Sequence, residues 1–189
     1  MDKKLIVMAL ALLIATPALC EERETLLKGD ITHGGFGGPE IRFTQIDGKG
    51  NVLMGGKGAW LVNHQYYLGG AGFGAIKKIG KENVDLGYGG ILLGYIFPSQ
   101  HLFTYSVELL AGAGGISGNT STVSTNGNIS DDTIFVFEPA AYVQINITKF
   151  ANINAGISYR MIGGSNTNGL SNADLSGLSA NINIMFGAF

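Results

Sequence analysis

From residue 35 to the end of the chain, apolar and polar side chains alternate in short runs, the period-two signature of strands whose two faces meet different surroundings. The rhythm predicts eight strands, over residues 35–46, 52–62, 66–76, 86–97, 102–116, 133–147, 151–162 and 177–189. It is plainest in the second half. In the fifth run Phe103, Tyr105, Val107, Leu109, Ala111 and Ala113 share one face, against Thr104, Ser106, Glu108, Gly112 and Gly114. In the sixth, Phe135, Phe137, Ala141, Val143 and Ile145 oppose Glu138, Tyr142, Gln144 and Asn146. The seventh sets Ile153, Ala155, Ile157, Tyr159 and Met161 against Asn152, Asn154, Ser158 and Arg160, and the eighth sets Leu178, Ala180, Ile182, Ile184 and Phe186 against Ser179, Asn181 and Asn183. The fourth run is apolar or Gly on both faces, and Pro139, lacking an N–H for the ladder, predicts a bulge in the sixth.

The connections have a rhythm of their own. After strands two, four and six they are short, and after strands three, five and seven they are longer and polar; the first hairpin is a tight Asp47-Gly48 turn. Short turns at one end and long loops at the other are what membrane-spanning barrels show, and a soluble barrel has no reason to sort its loops this way.

Composition narrows the setting. Thirty glycines among 189 residues argue against long helices, since each costs about 1 kcal/mol relative to Ala inside one. Past the first twenty residues no apolar run approaches the roughly 18 residues a membrane helix needs. Yet charged residues are only 14% of the chain and mean hydropathy is positive. A chain this apolar, without apolar 20-mers, fits the other way of crossing a bilayer, in which strands satisfy one another's backbone groups. The expected fold is therefore an all-β, closed antiparallel up-and-down transmembrane β-barrel of eight strands.

The opening residues read as an address. Lys3 and Lys4 precede the apolar stretch from Leu5 to Ala15, which Thr16 and Pro17 break ahead of small residues. Cleavage is expected after Cys20, giving a signal peptide over 1–20, a periplasmic linker over 21–34 and a barrel over 35–189. A lipoprotein reading would make Cys20 the acylated residue; the bulky Leu19 before it argues against that. If Cys20 leaves with the signal, the mature chain has no thiol for a disulfide, a nucleophile or a metal. The net charge of −2 carries no basic cluster, which excludes nucleic acid as a partner.

If the apolar faces meet lipid, the polar faces line the interior. Parity then places Arg42, Lys57, Glu108, Glu138 and Arg160 inside, with Glu40 at the mouth. Two acids and three bases in one narrow lumen should pair, because an isolated buried charge is heavily penalised. The expectation is a salt-bridge plug that fixes register and leaves no open pore, since eight strands enclose just enough room for side chains; the alternative is that some of these charges sit at strand ends in water. Trp60, Tyr66, Tyr67, Tyr88, Tyr95, Phe97, Phe103 and Phe150 fall near the short-turn ends and suggest an aromatic girdle, with core packing as the alternative for any one ring.

Catalytic chemistry is hard to find. His33, His64 and His101 lie in turns or the linker without partners at metal-ligand spacing. The glycine-rich stretch at residues 34–38 is followed by neither a helix pattern nor a Gly-Lys-Ser/Thr, so it is no phosphate loop. Neither an enzyme nor a cofactor is expected.

Together the signal, the eight alternating runs, the loop rhythm and the terminal Phe189 resemble the small outer-membrane barrels, the superfamily of the OmpA transmembrane domain and the OmpX-like and opacity-type proteins. The resemblance is architectural. It implies the outer membrane of a Gram-negative-type bacterium, outer-membrane lipid as surroundings, and the barrel-assembly machinery as a partner during biogenesis, which reads a terminal aromatic such as Phe189. Phe189 departs from that signal by sharing a face with Asn181 and Asn183. The leading functional expectation is a non-enzymatic envelope scaffold or surface-contact protein. The alternatives are a narrow conduit for small or hydrophobic solutes and a soluble periplasmic lipocalin-like barrel. Fold analogy alone names neither a ligand nor an extracellular partner.

Overall fold

The computed structural model describes residues 31–79, 84–99, 102–118, 132–165 and 171–189. The expected signal peptide, His101 and much of the three long loops lie outside the described residues.

Eight strands run in chain order: β1 (His33–Ile46), β2 (Lys49–Val62), β3 (Tyr66–Ala75), β4 (Val84–Ile96), β5 (Phe103–Gly118), β6 (Asp132–Thr148), β7 (Ala151–Gly163) and β8 (Gly177–Ala188). Each pairs antiparallel with its sequence neighbours, and β1 pairs with β8, so the sheet closes with no free edge. The fold is a closed up-and-down β-barrel. Most bounds differ from the sequence expectation by one to three residues, and β1 begins at His33, inside the expected linker.

Turn chemistry sets the hairpins. Asp47 and Gly48 both have positive φ, at 53° and 67°, which the two-residue turn joining twisted strands demands. Between β7 and β8 a single helical turn, α1 (Asn172–Leu175), is held by a capping box: Ser171 Oγ accepts from Asp174 N, and the Asp174 carboxylate accepts from Ser171 N at 2.9 Å. Asp47 N donates to Asp174 O at 2.9 Å, tying α1 to the first hairpin.

The bulge expected at Pro139 is absent. β6 and β7 keep one register from Phe137↔Met161 to Ala140↔Ser158, and pairing lapses only at the two positions between. Pro39 does the same between β1 and β8, from Gly37↔Phe186 to Glu40↔Asn183. A missing N–H removes rungs without adding a residue, so the strand need not bulge. The real irregularity lies between Asn146 and Thr148, beside the two-residue turn to β7.

The faces are inverted relative to a soluble protein. Outward positions carry Phe135, Ile91, Leu178, Ile157, Met54 and Trp60, all more than half exposed, whereas Glu40, Arg42, Glu138 and Arg160 are at most 1% exposed. Apolar side chains left in water forgo about 1.5–3 kcal/mol each, and a wall of them far exceeds the few hundred Å² of apolar patch that soluble monomers tolerate.

At the short-turn end the outward rings form a girdle: His33 stacks on Trp60 at 5.3 Å, Tyr66 meets Tyr95 at 5.0 Å, and Tyr95 meets Phe97 at 5.1 Å. Phe103 and Phe150 are also exposed. Tyr67 and Tyr88 are corrections to the expected girdle. Both point inward and are buried, because β3 and β4 carry small residues on the inner face that leave room for them.

Candidate functional site: the charged lumen

Period-two geometry puts Arg42, Lys57, Glu108, Glu138 and Arg160 inside the barrel, each on a different strand. Closure then decides which of them meet. Arg42 on β1 reaches across to Glu138 on β6, Nη1 to Oε1 at 2.6 Å, while Lys57 on β2 meets Glu108 on β5 at 2.7 Å.

Glu40 joins these two pairs. Arg42 Nε lies 2.7 Å from its Oε1 and Lys57 Nζ lies 3.1 Å from its Oε2. Glu40, expected at the mouth, stands at the centre. Its parity was visible, but its height was not, because the stagger of β1 against β8 carries it opposite Asn183. Three carboxylates and two cations thus form one chain, Glu138–Arg42–Glu40–Lys57–Glu108.

Tyrosine hydroxyls and amides complete the shell. Tyr67 donates to Glu108 at 2.9 Å, Tyr88 to Glu138 at 2.8 Å and Tyr142 to Glu40 at 2.9 Å. Ser158 donates to Glu138 at 2.6 Å and Asn183 Nδ2 to Glu40 at 2.9 Å. Rings also cover the cations: Arg42 Cζ lies 3.5 Å from the centre of Phe73 and Lys57 Nζ lies 4.1 Å from that of Tyr142. Sequence assigned Tyr142 to the polar face but Tyr67 and Tyr88 to the girdle, and Phe73 did not stand out. The signal that could have found them is a large ring alternating with Gly or Ala on one face, as in Tyr67, Gly69, Ala71, Phe73 and Ala75.

Arg160 does not join the network, which corrects the expectation that all five charges pair. It is fully buried, its Nε donates to Leu175 O at 2.9 Å, and no carboxylate lies within ion-pair distance among the described residues. Above it the lumen turns apolar. Ile46, Ile134, Ile162 and Leu175 are buried at the long-loop end in one cluster with Leu53, Leu86 and Ile116. At the short-turn end a cup of about 510 Å³ is lined by Asn63, His64, Thr104, Gln144, Asn146 and Phe189. Phe189 lies on the inner face and stacks on Phe36 at 5.6 Å.

The arrangement is chemically quiet. Every carboxylate is engaged by cations or hydroxyls, and among the described residues no group of three or more His, Cys, Asp or Glu is placed to hold a metal.

Neither a protein-family profile nor a curated protein matches the chain. Solved structures do. Neisserial surface protein A superposes with a TM-score of 0.63 at 13% identity, over 84% of this chain and 99% of that one. The N-terminal β-barrel domain of Pseudomonas aeruginosa OprF gives 0.54 at 11% identity, over 80% and 96%. Ail, the attachment invasion locus protein of Yersinia pestis, gives 0.50 at 15% identity, over 82% and 97%. At such identities the likeness is one of fold, and the fold of this chain is that of the small eight-stranded outer-membrane β-barrels.

Proposed function

We propose that this chain is a non-enzymatic outer-membrane barrel, exported through a cleaved signal peptide, that serves as an envelope scaffold or surface-contact protein. In this reading Arg42, Lys57, Glu108 and Glu138, together with Glu40, act structurally by locking the lumen. Arg160 anchors α1 across the end of the barrel. The observation that carries the reading is the inversion of polarity: ionised groups fully enclosed, large apolar side chains outward all round the wall. Such a wall is stable against hydrocarbon and not against water. The paired network fills the middle of the lumen, which argues against a wide diffusion pore. Surface contact is in keeping with the attachment named for Ail, which has also been crystallised with the heparin analogue sucrose octasulfate; those are properties of that protein.

Cell fractionation with heat-modifiable gel migration tests the proposal. The expected result is recovery in the outer-membrane fraction, with unheated protein migrating as a compact band that shifts on boiling. Protein that stays monodisperse in buffer without detergent would overturn the membrane assignment and favour the soluble ligand-binding barrel.

A further inference from the structure

Buried side-chain nitrogen and oxygen atoms nearly always find partners. Among the described residues seven do not, and all seven lie on β7 and β8: Asn152 Nδ2 and Oδ1, Asn154 Oδ1, Arg160 Nη1 and Nη2, Ser179 Oγ and Asn181 Oδ1. None belongs to β1–β6, whose carboxylates and Tyr142 meet this wall only through Ser158, Asn181 Nδ2 and Asn183 Nδ2.

Their order along the strands is regular. The inward levels of β7 are Asn152, Asn154, Gly156, Ser158 and Arg160, and Gly156 and Ser158 stand opposite Asn181 and Ser179 on β8. Each of the five consecutive levels therefore contributes at least one unpartnered polar atom. Successive levels are about 7 Å apart, a gap that one or two bridging waters span. The lowest, Asn152, pairs in the ladder with Asn146, which lines the cup at the short-turn end. The highest, Arg160, lies beneath Ile162 and the carbonyl of Leu175.

We propose that the β7–β8 wall is a hydrated seam, entered from the short-turn cup and ending blind at Arg160. The ligand it takes is water and small uncharged hydrogen-bonding molecules. A neutral occupant fits the charges: Arg160 offsets the surplus carboxylate among Glu40, Glu108 and Glu138, and a bound anion would restore the imbalance. The lumen is then sealed by two different means, the ion network carried on β1, β2, β5 and β6 beside the seam and an apolar cap of Ile46, Ile134, Ile162 and Leu175 above it. Apolar constrictions of this kind exclude water and ions without any charge barrier.

The test has two arms on the full barrel in lipid. In nuclear magnetic resonance, the side-chain amides of Asn152, Asn154 and Asn181 are expected to show transfer from water, while the Tyr67 hydroxyl, engaged with Glu108 away from the seam, does not; silence at all three amides overturns the seam. In planar bilayers with potassium chloride, Ile162→Ser with Leu175→Ser is expected to raise conductance about tenfold or more over the parent by wetting the cap. Leu61→Ser with Leu92→Ser, fully buried on β2 and β4 away from the cap, should leave it unchanged. A folded cap variant that stays closed overturns the proposal, as does equal opening by both pairs. Ile162→Ala with Leu175→Ala is the milder pair where the serines prevent folding. The seam assumes the barrel but not its cellular address, so failure in fractionation and failure here are distinguishable.

Discussion

The ring of Tyr67 occupies the space where a Cβ on Gly94 would stand. The two residues face each other across the β3–β4 ladder, and any side chain at Gly94 would meet the end of the tyrosine ring. The same device recurs as Phe73 over Gly55 and Tyr142 over Gly156. Inward glycines thus act as sockets for rings of the network: the hydroxyls of Tyr67 and Tyr142 reach carboxylates, and the Phe73 ring covers Arg42.

Gly94→Ala is therefore expected to push Tyr67 off Glu108 and to cost about 1–3 kcal/mol by overpacking. Urea unfolding from micelles measures it. Tyr67→Phe keeps the ring and loses only the hydroxyl, so it should cost less. Equal losses would mean that the socket is not tight.

Glu138→Gln removes the charge that faces Arg42, Tyr88 and Ser158 at once. Leaving a buried guanidinium short of its partner is expected to cost about 3–5 kcal/mol, read as a lower unfolding midpoint. Lys78→Met breaks the exposed pair with Asp85 at 3.3 Å and should change stability by about 0–1 kcal/mol. A Glu138 variant that melts like the parent would refute the locking role.

Arg160→Met tests the separation of Arg160 from the network. With a charged hydrogen bond to Leu175 O and a contact of its Cζ with the Tyr88 ring at 5.9 Å to lose, the cost is expected at about 1.5–3 kcal/mol, below that of Glu138→Gln. A loss as large as that of Glu138→Gln would place Arg160 back among the paired charges.

Asp174 supplies a pH prediction outside the membrane wall. Hydrogen bonds from Ser171 hold its carboxyl below the usual carboxylate range. The folded value lies below the unfolded one, near 3.9. Its contribution to α1 is therefore fully present above the unfolded value and lost as pH falls through the lower folded value. Titration of the carboxyl by nuclear magnetic resonance should show a depressed midpoint that returns toward normal in Ser171→Ala. A normal midpoint in the parent would refute the capping box.

The sequence by itself determined how many strands there are, where they turn and, outside β3 and β4, which face the side chains take. Period-two alternation is local, so Arg42, Lys57, Glu108, Glu138 and Arg160 could be assigned to the interior from their neighbours alone. Height and partnership could not, because they depend on the stagger accumulated around the ring and on the closure of β1 against β8. Only the tertiary structure set Glu40 between two cations, left Arg160 without a carboxylate partner among the described residues, and turned Tyr67 and Tyr88 from girdle candidates into hydrogen-bond donors. The physical reason is that contacts across a lumen join strands far apart in the chain, and no short-range pattern records them.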